Sequence, residues 1–137
     1  ESEEQRLQYV LNTLPFGVFE FTPQGEIVYA NAGLHRMFNY PLGTLIGQPA
    51  WFTKPDKVDE GAVRAAYQSM IAERRLPQPY ISRVVSRHGL GFEVRVDWSY
   101  RFDSDGEVKG FIATLTDLTE DSLRRTEFSR HIRTQAG

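Results

Sequence analysis

The side chains able to do chemistry are few in this chain: three histidines (His35, His88 and His131), a scatter of carboxylates, and no cysteine. Without a thiol there can be no disulfide, thiolate metal site, cysteine nucleophile or cysteinyl flavin adduct. The histidines fall in unrelated segments, and no HExxH, GxSxG or phosphate-cradling glycine loop accompanies them. The sequence therefore offers no catalytic residues. His35 lies beside an apolar stripe of Leu34, Met37 and Phe38. Haem ligation there competes with the plainer role of a solvated or core-edge histidine, and the plainer role is preferred. His88, flanked by glycine, reads as a turn residue. Asp56, Asp59 and Glu60 could hold a divalent cation, but no further oxygen ligands lie nearby in sequence, and carboxylates at this spacing suit the positive end of a helix dipole. No metal site is expected.

Two groups of residues carry more promise. The aromatics Phe19, Tyr29, Phe38, Trp51, Tyr67, Trp98 and Tyr100, joined by Met37, Met70 and Thr114, are candidates to line a ligand pocket. They could wrap a planar cofactor such as noncovalent flavin; at strand and helix periods they also make an ordinary core, which is the more frequent outcome. The second group is Asp117, Thr119 and Glu120, where an apolar strand-like run passes without a Gly or Pro break into an acidic stretch. Asp117 and Glu120 have the spacing of a capping box, with Thr119 as a competing N-cap. A small cone-fold enzyme with Glu93 or Asp97 as base is the rival class. Both carboxylates fall on the polar parity of their strand, which argues against it.

The elements that must position these residues are legible from periodicity. With 137 residues the chain has the length of one domain plus short flanks, enough to bury a core. Leu7, Val10, Leu11 and Leu14 put an apolar stripe on an entry helix that Pro15 stops. Residues 16–21 and 27–30 read as a hairpin around TPQGE. Asn31 caps a short helix carrying Leu34, Met37 and Phe38. The Gly- and Pro-rich stretch 41–55 permits only short turns, with Trp51 and Phe52 plugging the core. A longer helix is predicted from Asp56 to Arg75, with Val63, Ala66, Tyr67, Met70 and Ile71 facing inward. Residues 79–86, 92–102 and 108–116 then read as three strands. In the middle one Phe92, Val94, Val96, Trp98, Tyr100 and Phe102 share a buried face opposite Glu93, Arg95, Asp97, Ser99 and Arg101.

After Asp117 the charge order runs from Glu120 and Asp121 to Arg124, Arg125, Arg130, His131 and Arg133, which matches a helix dipole. Few apolar residues accompany it, so that helix needs a partner. Net charge is −2 with pI near 5.9, giving no basic field for nucleic acid or anionic lipid. No apolar run reaches the ~20 residues of a membrane span and no signal peptide is evident, so a cytoplasmic location is expected. Beginning at Glu1 with helix-patterned ends, the chain is expected to be a piece of a longer protein.

The order hairpin, small helices, longer helix, three-stranded meander and emerging helix resembles the PAS domain family. PQGEIVYANAG is similar to its opening turn, second strand and Asn-capped helix. LIGQP with TKPDKVDE is similar to its Gly and Pro-Asp ahead of the long helix. SRHGLGFEVRVDWSYRFDSDGEVKGFIATLTDLTE resembles its last three strands, ending in Asp117-Leu118-Thr119 where the family has Asp-Ile/Val-Thr. The resemblance spans roughly residues 7–120 and implies an α+β fold: a five-stranded antiparallel sheet with helices on one face, plus N- and C-terminal flanking helices. It implies residues 1–15 as a flanking helix, 16–118 as the core and 119–137 as a linker or signalling helix. The implied role is a noncatalytic sensory module. It would form a homodimer through its flanking helices and relay a small-molecule or partner signal through Asp117, Thr119 and Glu120 to a fused effector, such as a histidine kinase or cyclic-dinucleotide enzyme. A ligand-free dimerisation scaffold is the alternative. Light-sensing members need a flavin-reactive Cys and haem-binding members commonly a His on the long helix; this chain has neither.

Overall fold

Counted along the chain, five antiparallel strands pair in the order second, first, fifth, fourth, third, so the strand made last lies in the middle. The computed structural model describes residues 2–119. Helix α1 (Glu3–Thr13) leads into β1 (Gly17–Phe21) and β2 (Ile27–Ala30); α2 (Ala32–Phe38), a 3-10 turn (Ala50–Thr53) and α3 (Glu60–Ala72) follow. The sheet is completed by β3 (Tyr80–Val85), β4 (Gly91–Phe102) and β5 (Val108–Asp117). These are the five-stranded antiparallel sheet and helices that the sequence predicts.

Period-two alternation sets the two faces. Phe19 and Phe21 of β1, Val84 of β3, Val94 and Val96 of β4, and Phe111, Ala113 and Leu115 of β5 are buried together with Ile27, Leu34, Phe38, Leu45 and Ala50. The opposite parity carries Glu20, Arg95, Asp97 and Arg101, where Arg95 pairs with Asp97 at 3.1 Å and Arg101 with Glu20. Burying one face and wetting the other also fixes register, because a one-residue slip would exchange them. Phe102 departs from the expected inward set: it is 53% exposed, just past a register shift between Arg101 and Phe102, where it pairs with Val108 of β5.

Asn31 ties α1, β1 and α2 into one corner. Its Oδ1 accepts from the Val18 N–H at 2.8 Å and the Leu34 N–H at 2.9 Å, while Nδ2 donates to the carbonyls of Leu11 and Phe16 at 2.8 and 3.2 Å. All four hydrogen-bonding capacities of the amide are filled, as burial of so polar a group requires. The predicted N-cap is therefore present and also joins three elements. Helix α1 is capped by Ser2, whose Oγ accepts from the Gln5 N–H while Gln5 Oε1 accepts from the Ser2 N–H. Its apolar Leu7 and Val10 remain exposed.

Three details of α3 differ from expectation. It starts at Glu60, with Asp59 as N-cap accepting from the Ala62 N–H at 3.1 Å, so Asp56 belongs to the preceding loop. At the other end Glu73 is the C-cap and Arg74 takes a positive φ of 49°, which terminates the helix before Arg75. Ala66 is exposed, while Val63, Tyr67, Met70 and Ile71 keep the inward side.

Candidate functional site

Between the inner face of the sheet and the 3-10 turn, loop and α3 lies a cavity of about 470 Å³, within the range of small-molecule sites. The strands supply Phe19 and Phe21 from β1, Tyr80, Ser82 and Val84 from β3, Val96 and Trp98 from β4, and Phe111, Ala113 and Leu115 from β5. The opposite wall is Ala50, Trp51 and Thr53 of the turn, Lys54 to Val58 of the loop, and Val63, Tyr67 and Met70 of α3. Lys54, Pro55, Asp56, Lys57 and Tyr80 are exposed and mark the open side.

The inner wall is stiff because its aromatics brace one another. Phe21 stacks on Phe111 with ring centroids 5.1 Å apart, and Tyr67 leans on both at 5.3 and 5.4 Å. Trp98 meets Tyr100 edge-on at 5.3 Å. Such offset and edge contacts are the arrangements favoured by ring quadrupoles. Trp51 is held from outside by the Arg64 guanidinium, 5.5 Å from its ring centre, and Arg64 also donates to the Gln24 carbonyl at 3.2 Å. The β1–β2 turn carries Gly25 at φ 93°, where a Cβ would come 2.5 Å from the Trp51 ring. Only glycine lets that turn pass under the indole. Burial, reinforced by neighbouring Tyr80, pushes the Tyr67 phenol up to about 12, so it keeps its hydrogen as a donor at neutral pH.

At the far end of the same sheet, β5 runs out through Asp117. Its Oδ1 accepts from the Thr119 N–H at 2.8 Å and from the Thr119 hydroxyl at 2.5 Å, and the Leu118 N–H donates to the Glu93 carbonyl at 3.0 Å. Thus the strand remains stitched to β4 up to the residue where the exit segment begins.

The PAS fold family model matches residues 11–123. The chain belongs to the PAS fold family. Among solved structures, this PAS chain is similar to an RNA-binding light-oxygen-voltage receptor, at 20% identity and TM-score 0.73, over 98% of this chain and 38% of that one. It therefore spans well under half of that receptor. The PAS domain of a two-component sensor histidine kinase is 16% identical with TM-score 0.65, over 84% of this chain and 96% of the other. The PAS domain of Bordetella pertussis BvgS is 18% identical with TM-score 0.65, over 96% and 98% of the two chains. No curated protein sequence matches the chain. At these identities the likeness is one of fold.

Within this PAS domain the structure brings together five of the ten pocket candidates: Phe19, Trp51, Tyr67, Met70 and Trp98 line the cavity. The other five do not. Phe38 is buried behind it, edge-on to Phe52 at 5.0 Å, and Met37 packs against the same cluster. Tyr100 presses on Phe111, with its hydroxyl 2.6 Å from the Arg75 carbonyl and 3.0 Å from that of Met70, and so anchors the end of α3. Tyr29 pairs with Glu20 and Thr114 with Asp97, which sets both on the outer face. There the Tyr29 hydroxyl is buried without a partner among the described residues, and its pKa is raised by that burial. Phe21, Phe111, Thr53 and Ser82 line the cavity without having been expected to; strand parity with Phe19 and Ala113 was the available signal for the first two.

His35 is neither solvated nor at the core edge. It is buried, with Nδ1 2.9 Å from the Asn31 carbonyl and Nε2 accepting from the N–H groups of Gly43 and Leu45 at 3.1 and 3.2 Å. Nδ1 therefore holds the hydrogen and donates, and no lone pair is left for haem iron. Glu93 and Asp97 lie outside the cavity lining. Glu120 and the arginine-rich tail fall outside the described residues. No described helix is long and apolar enough to cross a membrane.

Proposed function

We propose that this PAS domain is the sensory and dimerisation module of a larger signal-transduction protein, in which cavity occupancy is relayed through β5 to residues 119–137 and a fused effector. The domain itself is noncatalytic in this reading. One observation carries it: β5 places Phe111, Ala113 and Leu115 in the cavity wall, and the same strand ends at the Asp117–Thr119 bonds. A ligand that displaces those side chains strains a segment with little slack before the exit. A coupling of about 1–3 kcal/mol would change output roughly 5- to 150-fold. A histidine kinase or cyclic-dinucleotide enzyme is the effector class proposed by resemblance.

The test begins with the native mass and absorbance of the purified protein, followed by denaturing extraction to release any bound molecule. Amide exchange on loaded and emptied protein should then differ at residues 115–119. Asp117→Ala should bind as before yet lose that difference. Equal exchange in both states, or an Asp117→Ala variant that fails to fold, would contradict the relay. The exposed Leu7 and Val10 of α1 support a second reading, a ligand-free scaffold that assembles dimers through this helix. A concentration-dependent dimer that releases no small molecule would favour it.

A further inference from the structure

We infer that the cavity takes a compact amphipathic anion: a carboxylate with an aromatic or short aliphatic body. This rests on the reading of the cavity as a ligand site. Its volume of about 470 Å³, at roughly 30 Å³ per small group, admits about fifteen non-hydrogen atoms. The sheet-side wall is aromatic and aliphatic, and the lining contains no Asn, Gln, His or Arg. A flat heterocycle rich in amide-like edges, such as noncovalent flavin, would bury several donors and acceptors there unmatched.

Apart from Tyr67 of α3 and Trp98 of β4, the polar groups gather on the turn, its loop and β3. Thr53, only 8% exposed, lines the cavity. Next to it in sequence, Lys54 reaches across to Ser82 of β3, with Nζ 3.3 Å from Oγ. Neither Lys54 nor Lys57 is paired with a carboxylate among the described residues. Asp56 sits between them in the lining, so two ammonium groups face one carboxylate and the lip is left with a single positive charge. A ligand carboxylate replaces the long Lys54–Ser82 contact with a hydrogen bond between opposite charges. A neutral ligand supplies no such gain to Lys54.

The probes are octanoate and 3-phenylpropionate against the matching alcohols, with binding to the full chain followed by calorimetry and by fluorescence of Trp51 and Trp98. Both acids should bind at least tenfold more tightly than the alcohols. Lys54→Met should weaken octanoate about tenfold, the loss of one charged hydrogen bond, and leave the alcohol unchanged. Ala113→Leu, which fills the cavity, should abolish binding of either class. If the alcohols match the acids, or Lys54→Met affects neither, the anion inference fails while the ligand site stands. If an acid binds Ala113→Leu undiminished, it sits elsewhere and the inference also fails. If nothing binds and Ala113→Leu raises the melting temperature, the space is unfilled core, and the sensory reading falls with it.

Discussion

Replacing Asn31 by alanine should be among the most damaging single changes available outside the aromatic core. Asn31 is 0% exposed, and its amide makes four hydrogen bonds to backbone groups of α1, β1 and α2. Alanine removes all four and leaves the buried Val18 and Leu34 N–H groups with no acceptor. Each orphaned donor costs about 1–3 kcal/mol, and part of that sum is the lost helix cap, itself worth about 1 kcal/mol. Partly exposed carbonyls of Leu11 and Phe16 can turn to water, so the total settles at about 3–5 kcal/mol. With a urea m-value of about 2 kcal/mol per molar, the unfolding midpoint should fall by about 2 M at constant slope. Asn31→Asp separates the two halves of the amide. It keeps both acceptor bonds but turns a carboxylate toward the Leu11 and Phe16 carbonyls, and should lose less than alanine. A shift below about 1 kcal/mol for Asn31→Ala, with the slope unchanged, would refute the corner as a determinant of stability.

Gly33→Ala should destabilise by about 1–3 kcal/mol through overpacking, although alanine is the better helix former: its Cβ would lie 2.5 Å from the Phe16 carbonyl oxygen and 3.1 Å from that of Leu14. A raised melting temperature would contradict this. For Tyr67, both folded and unfolded chains keep the proton below about pH 10. Between there and about 12 the folded state alone retains it, so stability falls as pH rises through that window. The phenolate absorbance of wild type minus Tyr67→Phe should show a midpoint near 12; a midpoint at the ordinary tyrosine value would show the phenol to be wet.

Periodicity exposed the sheet far better than it exposed the cavity. Strand β4 is readable because one face is wet, so Val94, Val96 and Trp98 separate cleanly from Glu93, Arg95 and Asp97. Parity says which side a residue faces, not whether space is left beside it. Phe38 and Trp98 both point inward, yet one closes against Phe52 and the other borders the cavity. Thr114 lies on the opposite parity from Phe111, Ala113 and Leu115, so its outward placement was legible. Tyr29 was harder, because IVYA is apolar throughout and a bulge between Glu20 and Phe21 resets its register. Leu45, fully buried, comes from a loop with no period at all. So does the pair of N–H groups on His35, which converge because Gly43 adopts φ 84°. The start of α3 was misplaced because three carboxylates compete for the dipole and only the Asp59 side chain reaches the Ala62 N–H. Ser2 and Gln5 carried the capping-box spacing at the head of α1 in plain view.

The central place of β5 has a consequence for how the molecule is made. During synthesis β1–β2 and β3–β4 can each close as a local hairpin, but neither can join the other until residues 108–117 have left the ribosome. Pairings such as Gly17 with Leu115 span nearly the whole core, and such distant closures are slow. Until then the nascent chain carries the unpaired inner edges of both hairpins and an uncovered aromatic face, a state in which intermolecular strand pairing competes with completion.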